Sequence, residues 1–327
     1  MEIPPELVAA KNAVEPALLA VPGVVGVGLG FREENGQLFD DQLAVRIHIA
    51  DGIPVPPGIP GEIGGVAVSI IPGTITPCAA PDTTRYAELG GGIEVTKPSR
   101  GFGTMGAIVR DVGTGQLLGL SCFHVVGGTG DVFPDTIWQA THPPLVVGVQ
   151  IDPADNVGSV IRAHFANTPT PTLPPMLVGL ADAAVFSLDR AVANGRTLSQ
   201  KIMSDSGQLP PLVPRITATA RMAVGQSVRK RGFKTRLTKG LVIGASTTTQ
   251  WTAGPPNAFL FDQFEITGAA SNPNGKFCEQ GDSGSVVLDD VAPTAVGLLW
   301  GEKLGGLRGI VSSIEHIESQ LAVRLVF

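Results

Sequence analysis

The chain has 327 residues, of which 42 are glycine, 27 are proline and 16% are charged. Because glycine and proline weaken helix interiors, this content disfavours a helix bundle, and a hydrophobic fraction of 43% argues against disorder. With a net charge of −6, the chain does not have the excess of basic residues that is typical of a nucleic-acid-binding protein. The composition therefore favours a globular, mainly β protein of short strands joined by Gly/Pro turns.

Cysteine usage and the N-terminus bear on the compartment. Cys78, Cys122 and Cys278 are too few and too scattered for a disulfide scaffold or a zinc cluster, which favours a reducing compartment. Residues 1–6 lack the basic start and apolar core of a secretion signal, and no stretch approaches about 20 uninterrupted apolar residues. We therefore expect a cytoplasmic protein with no membrane partner and no nucleic-acid partner.

The first part of the chain has a pattern of its own, from which we expect a small α+β domain over residues 1–77. The spacing of apolar side chains predicts a helix over 5–20 and strands at Val24–Phe31, Leu43–Ile49 and Gly65–Ile71. The glycine run at 26–30 lacks the spacing of a dinucleotide-binding fingerprint, and a hairpin signal at Asn35-Gly36 follows it. This run indicates a closely packed strand instead.

A second pattern begins after the glycines at 90–92, where short apolar runs alternate with turn residues. The predicted strands are Met105–Arg110, Gln116–Leu120, Leu145–Ile151, Ala183–Leu188, Leu241–Ala245, Phe259–Ile266, Ser285–Leu288 and Ala295–Trp300. A capping-box spacing over Ser312–Glu315 predicts a closing helix over 313–323.

The most informative segment is Gly281-Asp282-Ser283-Gly284-Ser285, which an apolar run follows. A serine between glycines suits a nucleophile on a tight turn, because the chain can bend there and backbone N–H groups can face a reacting carbonyl. A plain polar turn is the alternative, but the full motif is more specific than a bare Gly-x-Ser-x-Gly. It resembles the nucleophile motif of the chymotrypsin-like (trypsin-type) serine proteases.

Two further segments resemble that family. An apolar strand leads to His124, where the family has its catalytic histidine, although Cys122-Phe123 departs from the usual alanines. Asp182 precedes an apolar strand, as the family's third triad residue does. The order His124, Asp182, Ser283 is that of chymotrypsin and differs from the orders of α/β-hydrolases and subtilisin. Two other aspartates, Asp152 and Asp155, are rivals for the third position, but no comparable strand follows them.

The resemblance implies a fold and an activity. The fold is two six-stranded antiparallel β-barrels, at about 93–205 and 206–312 within a trypsin-like domain over 78–327, with a C-terminal helix. The leading domain looks like that of some bacterial and plant trypsin-like proteins. The implied activity is that of a serine endopeptidase on a protein or peptide substrate, without cofactor or metal. Ser283 attacks the carbonyl, His124 transfers the proton and Asp182 orients the imidazole.

The family also implies which groups surround the substrate. The N–H groups of Gly281 and Ser283 form the oxyanion hole. Leu299, Trp300 and Gly301 lie in the strand that pairs with the substrate backbone.

The specificity pocket follows from the same resemblance. Phe277 stands six residues before the nucleophile, where a trypsin has an aspartate, so we expect a pocket for small or medium apolar side chains. In the alternative, Glu279 or Glu302 turns inward and restores a negative charge.

Several points stay open at the level of sequence. No zymogen junction precedes the first barrel, so Asp282 requires another donor than a new N-terminus. The basic run 229–239 is interpreted as a solvated hairpin of the second barrel rather than a nucleic-acid site.

A catalytically silent trypsin-fold binding or scaffold protein is the alternative function. The small first domain favours a homo-oligomer.

Overall fold

The computed structural model describes residues 3–34, 36–50, 52–73, 85–97, 101–127, 136–139, 152–171, 176–203, 213–252 and 257–326. The strand predicted at Leu145–Ile151 and the domain boundary at residue 77 lie outside these ranges. Within them the protein is mainly β, as the sequence predicts. No helix of the described ranges is long and apolar enough to cross a membrane.

The elements of the first half begin with α1 (Pro5–Leu19), β1 (Val24–Glu34), β2 (Gln37–Ile49), β3 (Glu62–Ile63) and β4 (Val66–Pro72). Next come β5 (Glu88–Gly91), β6 (Ile93–Lys97), β7 (Gly101–Met105), β8 (Ala107–Asp111), β9 (Leu117–Ser121), α2 (Phe123–Val126) and β10 (Thr136–Trp138). They are followed by β11 (Asn156–His164), β12 (Thr168–Pro169), β13 (Leu177–Gly179), β14 (Ala183–Ser187), α3 (Asp189–Ala193) and β15 (Thr197–Ile202).

The second half contains β16 (Ala218–Thr219), β17 (Ser227–Gly232), β18 (Arg236–Gln250), β19 (Ala258–Gly268) and β20 (Val286–Asp289). It ends with β21 (Thr294–Lys303), β22 (Arg308–Ser313), α4 (Ile314–Gln320) and β23 (Val323–Arg324). Short 3₁₀ turns lie at Pro153–Asp155 and Pro273–Gly275. The closing helix is therefore present, and it is shorter than the predicted range.

Two curled sheets build the core. Among the described residues, one sheet has eight strands in the order β23-β8-β9-β14-β11-β10-β6-β7. The larger sheet includes β19-β22-β21-β20-β17-β18 and continues through β1 and β2 to β4 and β3. One cluster of buried apolar side chains spans both halves. A second lies mostly in the half that follows residue 216 and also includes Phe31 of β1. This arrangement is mainly β.

The N-terminal strands continue the larger sheet. β1 pairs antiparallel with β18, with Gly26 opposite Thr249 and Gly30 opposite Gly244. A Cβ on Gly30 would overlap the carbonyl oxygen of Ile243, so the pairing requires a residue without a side chain. The glycine run is thus a closely packed strand. A separate domain over residues 1–77 stays a prediction.

Candidate active site

His124 lies just beyond the end of β9. This strand is buried over most of its length and ends at Ser121, and residues 123–126 then form the single turn α2. The side chain of His124 is 9% exposed, so it lies at the edge of the buried core. The segment that sequence analysis identified therefore ends a buried strand, as the resemblance implies.

Strand pairing brings Asp182 to this histidine. β14 pairs antiparallel with β9, with Ala184 opposite Ser121, so the start of β14 lies beside the end of β9. His124 Nδ1 lies 2.7 Å from Asp182 Oδ2, and the backbone N–H of His124 donates to Oδ1 at 3.1 Å. The indole Nε1 of Trp251 donates to the same Oδ2 at 2.7 Å.

These contacts determine the charge of Asp182 and the tautomer of the neutral His124 ring. Burial alone would raise the pKa of the Asp182 carboxyl, but the charge of His124 and the hydrogen bonds from His124 and Trp251 hold that pKa below its ordinary value. The carboxylate is therefore ionised at neutral pH and only accepts hydrogen bonds, so Nδ1 of His124 is the donor. In the neutral ring, Nε2 is then left as the acceptor, which is the state a general base requires.

Ser283 lies on a tight turn before β20. Gly281 and Gly284, on either side of it, have φ values of 113° and 95°, a region that glycine adopts without steric cost. Thr104 of β7 anchors the turn, because its N–H donates to the Ser283 carbonyl at 2.7 Å and its hydroxyl donates to the Gly281 carbonyl at 2.9 Å. The loop from one half of the chain is thus fixed by a strand from the other.

One carbonyl joins the histidine segment to the serine turn. The Leu299 carbonyl accepts from the thiol of Cys122 at 3.2 Å and from the N–H of Gly284 at 2.8 Å. Cys122 stands two residues before His124, and Gly284 directly follows Ser283. The two segments therefore meet at the same point of β21.

The Ser283 hydroxyl is not bonded to His124 in this arrangement. It donates to the Trp300 carbonyl at 3.0 Å, and the Ser283 side chain is fully buried. His124 Nε2 is also buried and has no hydrogen-bond partner among the described residues. The histidine–aspartate pair is formed, whereas the serine–histidine hydrogen bond is not.

Of the four backbone N–H groups at residues 281–284, two are hydrogen-bonded and two have no acceptor among the described residues. The N–H of Asp282 donates to the Glu279 carbonyl at 3.0 Å, and that of Gly284 donates to Leu299. Within the described part of the chain, the N–H groups of Gly281 and Ser283 have no acceptor. These are the two groups that the family resemblance assigns to an oxyanion hole.

Asp282 has its replacement donor in Lys230. Nζ of Lys230 lies 2.8 Å from Oδ2 of Asp282, and both side chains are fully buried. The same carboxylate accepts from the N–H groups of Lys234, Thr235 and Glu279. The basic run does form the β17–β18 hairpin, but the interpretation of a solvated hairpin is wrong for Lys230 and Arg231, whose exposed fractions are 0% and 1%.

The residues assigned to substrate binding are deeply placed. Phe277, Leu299 and Trp300 have no exposed surface, and Gly301 is buried as well. Phe277 and Leu299 belong to the apolar core of the second half. The pairing register of β21 with β22 shifts between Leu299 and Gly301, where the Trp300 carbonyl meets the serine. The Trp300 indole donates to Gln263 at 2.8 Å.

Glu279 and Glu302, the two candidates for a negative charge in the specificity pocket, have different surroundings. Glu279 forms an ion pair with Lys276 at 2.7 Å. Burial, followed by the nearby charges of Glu279 and Asp282, raises the pKa of Glu302 above its ordinary value, although Lys276 opposes the shift. Glu302 is therefore less readily ionised than a glutamate in water.

Asp152 and Asp155, the other candidates for the third triad position, are bonded to other groups. Asp155 accepts from Arg85 at 2.5 Å and from Arg196 at 2.7 Å, and Asp152 accepts from the N–H of Ala154 at the start of a 3₁₀ turn. Neither is bonded to His124. The pairing of β14 with β9 brings Asp182, rather than either of these two aspartates, to His124.

Cys122, His124 and Asp182 have ligand atoms within 4.8 Å of one another, a spacing that suits a metal. Burial, and then the charge of Asp182, raises the pKa of the Cys122 thiol well above its ordinary value. A protonated thiol is a poor metal ligand, and His124 Nδ1 is already bonded to Asp182. The cluster does not favour a metal site.

Sequence analysis missed two residues of this site, Trp251 and Lys230. Trp251 follows β18 in a stretch without a motif, so nothing in the sequence singles it out. Lys230 lies in the basic run, and its position opposite Asp282 depends on the pairing of β17 with β20. Both contacts join residues that are more than 50 positions apart.

Comparison with known proteins adds the following. No family model and no curated protein matches the chain. Among solved structures it is similar to Protease A of Thermobifida fusca, at 16% identity over 73% of this chain and 98% of that chain, with a TM-score of 0.49. A glutamic acid-specific serine protease that uses a histidine triad in substrate binding matches at 16% identity, over 72% and 100% of the two chains, with a TM-score of 0.48. A Nocardiopsis protease matches at 15%, over 73% and 100%, with a TM-score of 0.47.

The chain is similar to bacterial chymotrypsin-like serine proteases. This is the family to which the motifs around His124, Asp182 and Ser283 point.

Proposed function

We propose that the protein is a serine endopeptidase that cleaves peptide bonds through an acyl-enzyme intermediate. The observation that carries the proposal is the His124–Asp182 pair at 2.7 Å, with the unpartnered Nε2 of the histidine beside a serine turn that has two free N–H groups. A buried, ionised carboxylate on Nδ1 and an open Nε2 are what a general base needs. The two free N–H groups are donors of the kind that an oxyanion hole needs.

The reaction starts with a rotation of the Ser283 hydroxyl. Its hydrogen bond to the Trp300 carbonyl breaks, and the hydroxyl donates to His124 Nε2 instead. As Oγ attacks the peptide carbonyl, its proton passes to Nε2, and Asp182 stabilises the imidazolium. The N–H groups of Gly281 and Ser283 bind the oxyanion, and His124 then protonates the leaving amine. Water, deprotonated by His124, hydrolyses the acyl ester and regenerates the serine.

The test is covalent labelling of the full chain with a fluorophosphonate probe, followed by peptide mapping. We expect one adduct on Ser283, and none in the Ser283→Ala variant. Ser285→Ala is the matched control, because it removes a hydroxyl from the same turn that donates only to the Asp282 carbonyl. If the wild-type chain is not labelled while circular dichroism shows it folded, the proposal is wrong.

A catalytically silent trypsin-fold scaffold is the second candidate. The observation in its favour is the hydrogen bond of the Ser283 hydroxyl to Trp300, which keeps it from His124. Catalytic hydrogen bonds are often unformed before substrate binds, so this contact is compatible with either function. The two candidates differ in the labelling experiment, in which the scaffold gives no adduct.

We also propose a homo-oligomer formed through the N-terminal segment. The larger sheet ends at β4 and the two-residue β3, so most of that edge of β4 has no neighbouring strand among the described residues. An open strand edge can pair with another chain. Light scattering on the full chain tests this, and a mass equal to the 33.8 kDa of one chain would contradict it.

A further inference from the structure

Trp251 holds the Asp182 carboxylate from the second half of the chain. It directly follows β18 and is 2% exposed, and its indole Nε1 donates to Oδ2 at 2.7 Å. That oxygen is the one that faces His124 Nδ1 at 2.7 Å. The described residues thus give the carboxylate three donors, two of them from His124 and one from Trp251.

The indole is itself fixed in place. Its ring lies 5.5 Å from that of Phe165 and 5.8 Å from that of Phe123, and those two rings are stacked at 3.9 Å. The backbone N–H of Trp251 donates to the Ala258 carbonyl at 2.7 Å. Because Phe123 directly precedes His124, one aromatic cluster contacts both partners of the pair. The donor cannot turn away without disrupting this packing.

We infer that Trp251 is a positioning residue for the proposed hydrolysis, fixing the rotation and the charge of Asp182 so that His124 keeps its Nδ1–H tautomer. The effect of Trp251 on the reaction rate rests on the proposed function, whereas its effect on Asp182 does not. A carboxylate that loses one donor can rotate, and its anion is less stabilised. His124 is then less often in the orientation that leaves Nε2 open.

The effect has a specific signature. Because Trp251 is buried and bonded to Asp182 rather than placed toward substrate, its loss lowers kcat and leaves KM within about twofold. We expect Trp251→Phe to lower kcat about tenfold or more. Loss of a hydrogen bond that stabilises the charged form also raises the pKa of Asp182.

The experiment compares variants of the full chain by peptide-substrate kinetics and by ¹³C NMR of labelled aspartate. The Asp182 signal is assigned by its absence in Asp182→Asn. Trp251→Phe removes the N–H and part of the ring. Incorporation of 3-benzothienylalanine at position 251 removes only the N–H and keeps the bicyclic shape, so it remains informative if Trp251→Phe fails to fold. Trp138→Phe, on β10, is the matched control and should leave the rate and the Asp182 titration unchanged.

The outcomes separate the inference from the function on which it rests. A raised Asp182 pKa and a reduced kcat in both position-251 variants support the inference. An unchanged Asp182 titration in the benzothienylalanine variant overturns it, whatever the kinetics show. If the wild-type chain has no activity but the Asp182 pKa still rises in the variants, the proposed function fails while the positioning of Asp182 by Trp251 stands.

Discussion

Lys230 Nζ lies 2.8 Å from Oδ2 of Asp282, and neither side chain has exposed surface. The pair joins β17 to the turn that carries Ser283, so the nucleophile loop is anchored by a residue of the same folded chain. No cleavage is needed to create this ammonium group. The loop is therefore held in its observed form from the moment of folding.

Replacement of Lys230 should destabilise the protein and the loop that carries Ser283. In Lys230→Met the Asp282 carboxylate stays buried without its counter-charge, which costs about 3–5 kcal/mol of unfolding free energy. The control is Lys239→Met, because Lys239 pairs with Asp290 and is 50% exposed. An exposed pair contributes about 0–1 kcal/mol. Urea unfolding and fluorophosphonate labelling measure both, and a loss under about 1 kcal/mol in Lys230→Met would contradict the assignment.

Gly284 is expected to tolerate no side chain. A Cβ there would overlap the Thr104 carbonyl oxygen and lie 2.5 Å from Ser121 Oγ, and φ is 95°. Gly115 has a φ of 74° but open space around it, so Gly115→Ala isolates the backbone strain of about 1–3 kcal/mol. We expect Gly284→Ala to lose labelling and to be clearly less stable than Gly115→Ala. Equal stability of the two variants in thermal unfolding would show that the turn is looser than described.

A buried cluster of charges joins the N-terminal strands to the second half of the chain. Its members are Glu33, Arg46, His48, Glu265, Lys303 and Arg308. Burial, and then the charge of Lys303, lowers the pKa of His48 well below its ordinary value, so this ring is neutral. Three cationic groups then face two carboxylates. Burial, with the nearby arginines, accordingly lowers the pKa of Lys303 to about 7.

This cluster predicts how stability depends on pH. Between pH 7 and 10.5 the unfolded chain holds a proton on Lys303 that the folded chain lacks, so unfolding free energy rises with pH. From pH 7 to 8.5 we expect a gain of about 1–2 kcal/mol, since one pH unit corresponds to at most about 1.4 kcal/mol. Above that window the Cys122 thiol, whose pKa burial raises, acts in the opposite direction. Lys303→Met should flatten the slope in urea titrations, and an unchanged slope in that variant would contradict the prediction.

Local sequence was sufficient for the parts of the site that a motif or a strand boundary fixes. The glycines around Ser283 permit a tight turn, and His124 and Asp182 border apolar strands that pair with each other. The contacts of Trp251 and Lys230 were not predictable in this way. The first joins the two halves of the chain, and the second depends on the pairing of β17 with β20. The pairing of β1 with β18 was equally hidden, because nothing in the residues of β1 specifies which strand lies beside it.

The last prediction concerns the side chain before the cleaved bond. Phe277 is fully buried in the apolar core of the second half, beside the strand that holds Trp300, and brings no charge to this region. Without a buried carboxylate, nothing compensates the desolvation of a lysine or arginine side chain. Burial raises the pKa of Glu302, which makes it a weak source of such a charge. We therefore expect cleavage after small or medium apolar residues in a peptide library, with the same preference in Glu302→Gln. Cleavage after arginine or lysine that disappears in Glu302→Gln would instead assign the pocket to Glu302.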